Sequence, residues 1–278
     1  MNTLTSSSPA KDRYITTINN LLATNVLTFN AHAMLIDLIN EKEDIFFTSI
    51  MNPIDTFGNY TINHLPELLD GKMNRELELL FSQCSYEEAK AASLSDRSDN
   101  KLTHKSLTYG ETSFSSFFHI MNTLKRSQQG ISGGTFYDLG SGSGRAVFTT
   151  RFTQDFDRCV GLELMGNLHD LAITVKDNYE DGSFHDRLRL SSCNVESYCA
   201  DILEFDWADG DVVFAHSTCF GKNLLREVFK KGANLKKGAI LIMFNECCKG
   251  MEDIYELVEE SKHPMTWGLS DVFFFRRK

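Results

Sequence analysis

The 278-residue chain contains no run of ~18 apolar residues, the length a membrane-crossing helix needs, so no membrane partner is expected. Its first residues, MNTLTSSSPAKDR, lack the basic-then-apolar order of a secretory signal. Seven cysteines, an odd number with Cys247 and Cys248 adjacent, contain no Cys-x-x-Cys pair and do not suggest a disulfide framework. The eight histidines do not combine with cysteines at zinc spacing, so no metal is expected. These absences point to a reducing compartment, nuclear or cytoplasmic. Basic residues are outnumbered, 28 Lys and Arg against 38 Asp and Glu, for a formal charge of −10. That balance opposes unaided binding to nucleic acid, which relies on neutralising phosphates, and no direct sequence-specific nucleic-acid contact is expected. The basic clusters at Lys101/Lys105, Lys125/Arg126, Lys230/Lys231, Lys236/Lys237 and Arg276–Lys278 read as solvated surface.

What is present centres on residues 135–145, Thr-Phe-Tyr-Asp-Leu-Gly-Ser-Gly-Ser-Gly-Arg. β-forming residues run into Asp138, glycines follow at 140, 142 and 144, and a helical pattern starts at Arg145. A strand, a glycine turn and a helix N-terminus make the first βα unit of a nucleotide-type fold, whose N–H groups and dipole favour a negative or polar ligand edge. The dinucleotide fingerprint needs a glycine where Arg145 stands, and no phosphate loop ending in Gly-Lys-Ser/Thr occurs. A second apolar run, Cys159 to Leu162, ends in Glu163, a carboxylate placed to accept both hydroxyls of a ribose. Together these resemble the S-adenosylmethionine site of class I methyltransferases.

Hydrophobic content of 42% and charged content of 24% suit a soluble globular chain, long enough for one large or two smaller domains. Residues 1–10 read as a disordered tail, and apolar residues recur at helical spacing from Asp12 to Asn40. Pro53 and Pro66 break the next segment, residues 73–81 form another helix, and Ser85–Glu88 fits a capping box before a short helix. The polar stretch Ser93–Lys105 reads as a linker, which divides a helical N-terminal region (1–104) from a catalytic-type domain (105–278). In the second part strands are expected at 135–137, 159–163, 211–215, 239–244 and 266–275, with a further apolar stretch at 188–199. Helices are expected at 113–125, 145–155, 166–178, 222–235 and 251–260. Alternating β and α elements argue for a doubly wound sheet with its ligand at the carboxyl ends of the strands. Asp138, Glu163, Asp201 and His216 all fall at such ends.

Four segments resemble one family: Tyr109-Gly110-Glu111-Thr112-Ser113-Phe114, Asp138–Gly144, Glu163, and Val212 to Gly221. These are similar to the DOT-one (disruptor of telomeric silencing) histone lysine methyltransferases, class I enzymes that lack a SET domain. The resemblance covers roughly residues 105–275, with the segment around Trp267 similar to that family's last strand. It implies a Rossmann-like α/β fold, a seven-stranded, mostly parallel sheet preceded by a helical region, with S-adenosyl-L-methionine as cofactor. It also implies a protein substrate, a histone or nucleosome. Residue by residue, it implies that Tyr109, Glu111 and Thr112 line a loop holding the methionine half of the cofactor. Asp138 and Gly140 would sit at its amino-acid end, with Arg145 where the family more often has Gln, and Gly142 and Gly144 would belong to the same cofactor-binding turn. Glu163 would take the ribose hydroxyls, and Asp201 and Ile202 would meet the adenine. A surface-loop role for Asp201 is equally open.

The departure is at the active-site strand end. His216-Ser217-Thr218-Cys219-Phe220 stands where the family usually reads Asn-Asn-Phe-Ala-Phe. Asn both donates and accepts and can orient an incoming amine; Ser217 keeps a shorter donor and acceptor, and His216 introduces a titratable group. His216, Ser217 and Phe220 are therefore the candidate catalytic residues, with a structural role for His216 equally open, and Phe220, Trp267 and Phe273 are candidate channel walls, with a place in the core open for each. Cys219 is not expected to act as a nucleophile, since methyl transfer needs none. The expected activity is methyl transfer to a protein lysine, with a core histone leading. Two alternatives stay open: a methyltransferase of a non-histone protein, such as a translation factor, or of a small molecule, and a catalytically silent cofactor-binding partner subunit. Glu163→Ala is expected to weaken cofactor binding while leaving the melting temperature of the free protein nearly unchanged.

Overall fold

The computed structural model describes residues 16, 73–99, 109–127, 133–181, 184, 188, 190–244, 250–265 and 268–278. The expected disordered tail, the helices before residue 41, the breaks at Pro53 and Pro66, and Trp267 lie outside the described residues. No helix among the described residues is long and apolar enough to cross a membrane.

Seven strands form one sheet: β1 (Thr135–Leu139), β2 (Arg158–Glu163), β3 (Asn194–Cys199), β4 (Val212–Ala215), β5 (Ile240–Met243), β6 (Tyr255–Met265) and β7 (Gly268–Arg277). Their spatial order is β3-β2-β1-β4-β5-β7-β6. The first five pair in parallel, whereas β7 is antiparallel to β5 and β6 antiparallel to β7. The continuous apolar runs in the parallel strands follow from burial on both faces. Phe136, Val212, Phe214, Ile240 and Ile242 point into one core, and Tyr137, Leu139, Val213, Ala215 and Leu241 into the other.

Helices cover both faces. Helical residues 73–80, α2 (Phe114–Ser127), α3 (Arg145–Thr153) and α4 (Gly166–Glu180) bury side chains on the first face or beside it. On the second, α5 (Lys222–Gly232) buries Leu225, Val228 and Phe229. Sheet order reverses between β1 and β4, which opens a crevice at their carboxyl ends.

Two expectations are corrected here. Helix α1 runs through Tyr86–Asp99, so residues 93–99 are not a linker. The capping box that starts it is formed: the Ser85 N–H and hydroxyl both donate to Glu88, each at 2.7 Å, and the Glu88 N–H donates to Ser85 Oγ at 3.3 Å. Its polar residues, which alone read as a loop, are docking groups. Asp96 accepts the Asn167 N–H at 2.9 Å at the start of α4, and the Ser93 hydroxyl donates to Met165 Sδ at 3.7 Å. Residues 73–99 thus pack on the sheet's own helices, with Met73, Leu77, Leu80 and Phe81 in the first core.

The second correction concerns residues 251–260, expected as a helix. Only a turn occupies 251–254, and β6 starts at Tyr255. Ile254, Tyr255, Leu257 and Val258 satisfy a helical period, yet ladder pairing with β7 from Tyr255–Arg277 to Met265–Gly268 wins. The acidic residues of β6 are tolerated because it is an edge strand, where charge also deters unwanted pairing. Phe273, a candidate channel wall, pairs with Met243 and is buried in the second core.

Candidate active site

The site grows out of the turn between β1 and α3. The Gly140 and Ser141 N–H groups both donate to the Leu162 carbonyl, at 2.8 and 3.0 Å, tying the turn to β2. Gly140 has φ +86°, and a Cβ there would meet no atom within 4 Å, because that direction opens into the cavity. At Gly142 a Cβ would stand 2.7 Å from the Tyr109 ring, so glycine is what lets loop 109–112 close over the turn.

A cavity of about 720 Å³ lies at the carboxyl ends of β1, β2 and β4, a volume in the range of small-ligand sites. Of the residues singled out in the sequence, Tyr109, Glu111, Thr112, Asp138, Gly140, Gly142 and Arg145 line it on one side. Glu163, Asp201 and Ile202 line it on another, and His216 and Phe220 at a third. Two do not reach it. Gly144 begins α3 at φ +94° against Phe148 and serves helix entry. Ser217 is wholly buried, and its Oγ accepts the Phe244 N–H at 3.0 Å, clipping the end of β4 to the end of β5. Ser217 is therefore corrected from candidate catalytic group to structural clip.

Two buried carboxylates carry the electrostatics. Asp138 is 3% exposed, and its Oδ1 has no hydrogen-bond partner among the described residues. Burial, then the charge of Glu163, pushes it up to about 8. An orphaned carboxyl facing a cavity is matched by an ammonium group, which would supply both hydrogen bond and countercharge. Glu163 is also buried. Its Oε2 accepts the Gly142 N–H at 2.8 Å and its Oε1 the Met165 N–H at 2.9 Å. Burial raises it above the ordinary carboxylate range, although these backbone donors work the other way. Its removal would strand two backbone donors, so the expectation that Glu163→Ala spares the free protein is revised: stability falls too.

Loop 109–112 is held by a polar chain. The Tyr109 hydroxyl donates to Glu111, the Ser143 hydroxyl donates to Glu111 at 2.7 Å, and Arg145 Nε lies 2.8 Å from the other Glu111 oxygen. Arg145 reaches on to Glu78 at 2.8 Å while its guanidinium covers the Phe81 ring at 4.6 Å. Burial works against its charge, but Glu111 and Glu78 more than offset that and keep it firmly cationic. Glu111 and Arg145 thus brace the loop across from residues 73–81. Burial, then Glu111, raises the Tyr109 phenol far above its ordinary value, so it stays protonated.

The far end is apolar. Phe214, Phe220 and Leu224 form its wall, with Thr218 and Cys219 at the rim. The His216 ring packs edge-on against Phe244 at 4.8 Å. Burial pulls His216 down to about 4, against a hydrogen bond to the Gly110 backbone, so it is neutral at physiological pH. On the remaining side, Leu164, Met165, Ile202 and Leu203 offer apolar surface, and Asp201 Oδ1 accepts the Leu203 N–H at 2.8 Å to shape that turn.

Sequence reasoning missed several lining residues. Leu164 and Met165 follow Glu163 directly and were within reach of a strand-end argument. Tyr86 was not: it comes from α1 and stacks on Tyr109 with ring centroids 5.9 Å apart, a contact no local pattern carries.

A family model described as "Histone methylation protein DOT1" matches residues 96–263. A histone-lysine N-methyltransferase, H3 lysine-79 specific, from Dictyostelium discoideum is 32% identical over 119 residues, spanning 41% of this chain and 6% of that protein. Among solved structures, an RNA methyltransferase from Salinibacter ruber in complex with S-adenosyl-L-homocysteine is 21% identical with a TM-score of 0.40, over 58% of this chain and 89% of that one. The magnesium protoporphyrin IX methyltransferase of Synechocystis PCC 6803 with bound S-adenosylmethionine is 11% identical with a TM-score of 0.45, over 67% and 97%.

Proposed function

The chain belongs to the DOT1 family of histone methylation proteins, and on that premise we propose that it is an S-adenosylmethionine-dependent protein-lysine N-methyltransferase with a core histone as substrate, free or in a nucleosome. The single observation that carries the cofactor part is Asp138: a buried carboxyl with an orphaned oxygen, facing a cavity of about 720 Å³ beside Gly140 and Glu163.

The residues present fit the cofactor. Asp138 would hold the ammonium of its methionine half and Glu163 would accept ribose hydroxyls with lone pairs its backbone donors leave over. Leu164, Met165, Ile202 and Leu203 would pack the adenine, and the braced Tyr109–Thr112 loop would close the methionine end. When bound, S-adenosylmethionine supplies an electrophilic methyl group on a sulfonium.

The chain's own work is then placement and exclusion. A lysine attacks only as the neutral amine, against a free pKa of ~10.4. Phe214, Phe220 and Leu224 would keep water from the acceptor end, and a cationic neighbour in a dry site favours the uncharged amine. A histidine that remained charged would repel the sulfonium. His216, held neutral by burial, does not, and its hydrogen bond to the Gly110 backbone ties the ring to loop 109–112 beside the acceptor end. Positioning supplies most of the acceleration, and no strong base is required.

The test uses tritiated S-adenosylmethionine with the wild type and Asp138→Asn, a variant that keeps the shape and sacrifices no hydrogen bond at Oδ1. Nucleosomes, free core histones and a ribosome-rich cytosolic extract serve as acceptors. Label on histone, reduced at least ~10-fold in the variant, is expected. Label confined to the extract would keep the methyltransferase and remove the histone. Absence of label with cofactor binding intact would overturn the enzyme in favour of a silent partner subunit.

A further inference from the structure

Away from the cavity, two thiols and a buried cation meet where β2 and β3 begin. Cys159, the second residue of β2, is wholly buried, and Cys193, just before β3, is half-buried. Cys159 pairs with Val195, two residues beyond Cys193, which brings both sulfurs to one face of the sheet, 3.8 Å apart. Arg151 is fully buried beside them. Its Nε donates to the Tyr179 hydroxyl and its Nη2 to the Ser191 carbonyl, neither of them an anion. Its Nη1 has no hydrogen-bond partner among the described residues. Among the described residues no carboxylate pairs with this guanidinium, and a thiolate at Cys193 would supply a countercharge. The neighbouring Cys159 thiol, then Arg151, draws the Cys193 thiol below the ordinary range in spite of burial, whereas burial raises Cys159. Exposure separates their roles: half-buried Cys193 is within reach of a solvent-borne oxidant, and wholly buried Cys159 is a sheltered partner.

We propose that Cys193 and Cys159 form a reversible oxidation site, in which a peroxide oxidises Cys193 and Cys159 resolves it to a disulfide. The Cys193 thiolate attacks one peroxide oxygen; an S–O bond forms, the O–O bond breaks, and hydroxide leaves. The Cys159 thiol then attacks the sulfenic sulfur, the S–S bond forms, the S–O bond breaks, and water departs with the thiol proton. Two electrons pass from the two thiols to the peroxide. The sulfurs must close from 3.8 Å to ~2.05 Å, and residues 190–193, which lie outside any helix or strand ahead of β3, are where the backbone can give. The resulting bond staples the edge strand β3 to β2 at the end opposite the cavity, so it stabilises the sheet without blocking the site.

The experiment treats the purified full chain with a small molar excess of hydrogen peroxide and maps its peptides by mass spectrometry. A Cys159–Cys193 cross-link, removed by dithiothreitol and accompanied by a rise of several degrees in melting temperature, is expected. Cys193→Ser should abolish the link, and Cys159→Ala should leave a sulfenic acid at Cys193 that dimedone captures. Oxidation of Cys199 or Cys219 ahead of Cys193 would overturn the proposal, as would over-oxidation of Cys193 in the wild type without the link.

Discussion

At the residue scale the buried Asp138 makes the clearest pH prediction. Its carboxyl is raised to about 8 in the fold by burial and by Glu163, from an ordinary value of 3.8. The folded state therefore holds a proton that the unfolded chain releases, and stability is fully present below pH ~4 and lost as pH climbs to about 8. The melting temperature of the ligand-free protein should fall across that window through this group, and Asp138→Asn should flatten the fall. Cofactor binding should favour the ionised carboxylate, so wild-type affinity should rise toward pH 8. The variant should bind ~10- to 100-fold more weakly. Calorimetry across pH on both proteins measures all of this; identical pH profiles would remove Asp138 from the site. Asp138 was legible in the amino-acid sequence because a strand running into a glycine turn has only one chemical use for an acid at its end. That its Oδ1 has no hydrogen-bond partner among the described residues was not legible, since desolvation depends on what packs around it.

At the element scale the informative piece is residues 73–99, two helical stretches that carry no chemical motif. Phe81 packs edge-on against Phe148 at 6.0 Å and under Arg145 at 4.6 Å, so it joins the first core to the brace on loop 109–112. Phe81→Ala should cost ~3–5 kcal/mol in chemical denaturation. Arg145→Ala should weaken cofactor binding by about tenfold with a smaller loss of stability, because its ion pairs are mostly about loop placement. Titration calorimetry beside a denaturant melt separates the two; equal effects on both quantities would make Arg145 a plain core group. The polar face of α1 reads as a linker for a definite reason. Ser93 and Asp96 are buried against α4, and a residue whose polarity is satisfied by another element has no signature in its own neighbourhood. The same holds for β6, whose helical period is overridden by a strand partner.

At the scale of the whole molecule, the charge of −10 makes a salt prediction for the proposed histone substrate. Attraction to a free histone should be screened by salt, so kcat/KM on free core histones should fall with ionic strength while kcat holds. On nucleosomes, whose DNA is a polyanion, repulsion should be screened instead and the salt response should be weaker or reversed. Initial rates from low to moderate salt test this; matching salt slopes on the two acceptors would discard electrostatic steering by net charge.

The sequence by itself determined the sheet's parallel half, the glycine turn, the two acids at adjacent strand ends and the family. Each of these is a local demand: positive φ for Gly140 and Gly144, apolar runs for strands buried on both faces, a carboxylate one residue from a turn. Only the tertiary structure decided that Ser217 clips β4 to β5 rather than facing the cavity, that Arg145 serves loop 109–112 and Glu78, and that Tyr86 joins the wall. It also decided that β6 is a strand, and that Cys193 lies beside Cys159. The physical reason is common to all five. Which group a side chain touches across the fold depends on long-range packing and pairing, and the chain's local pattern carries no term for that.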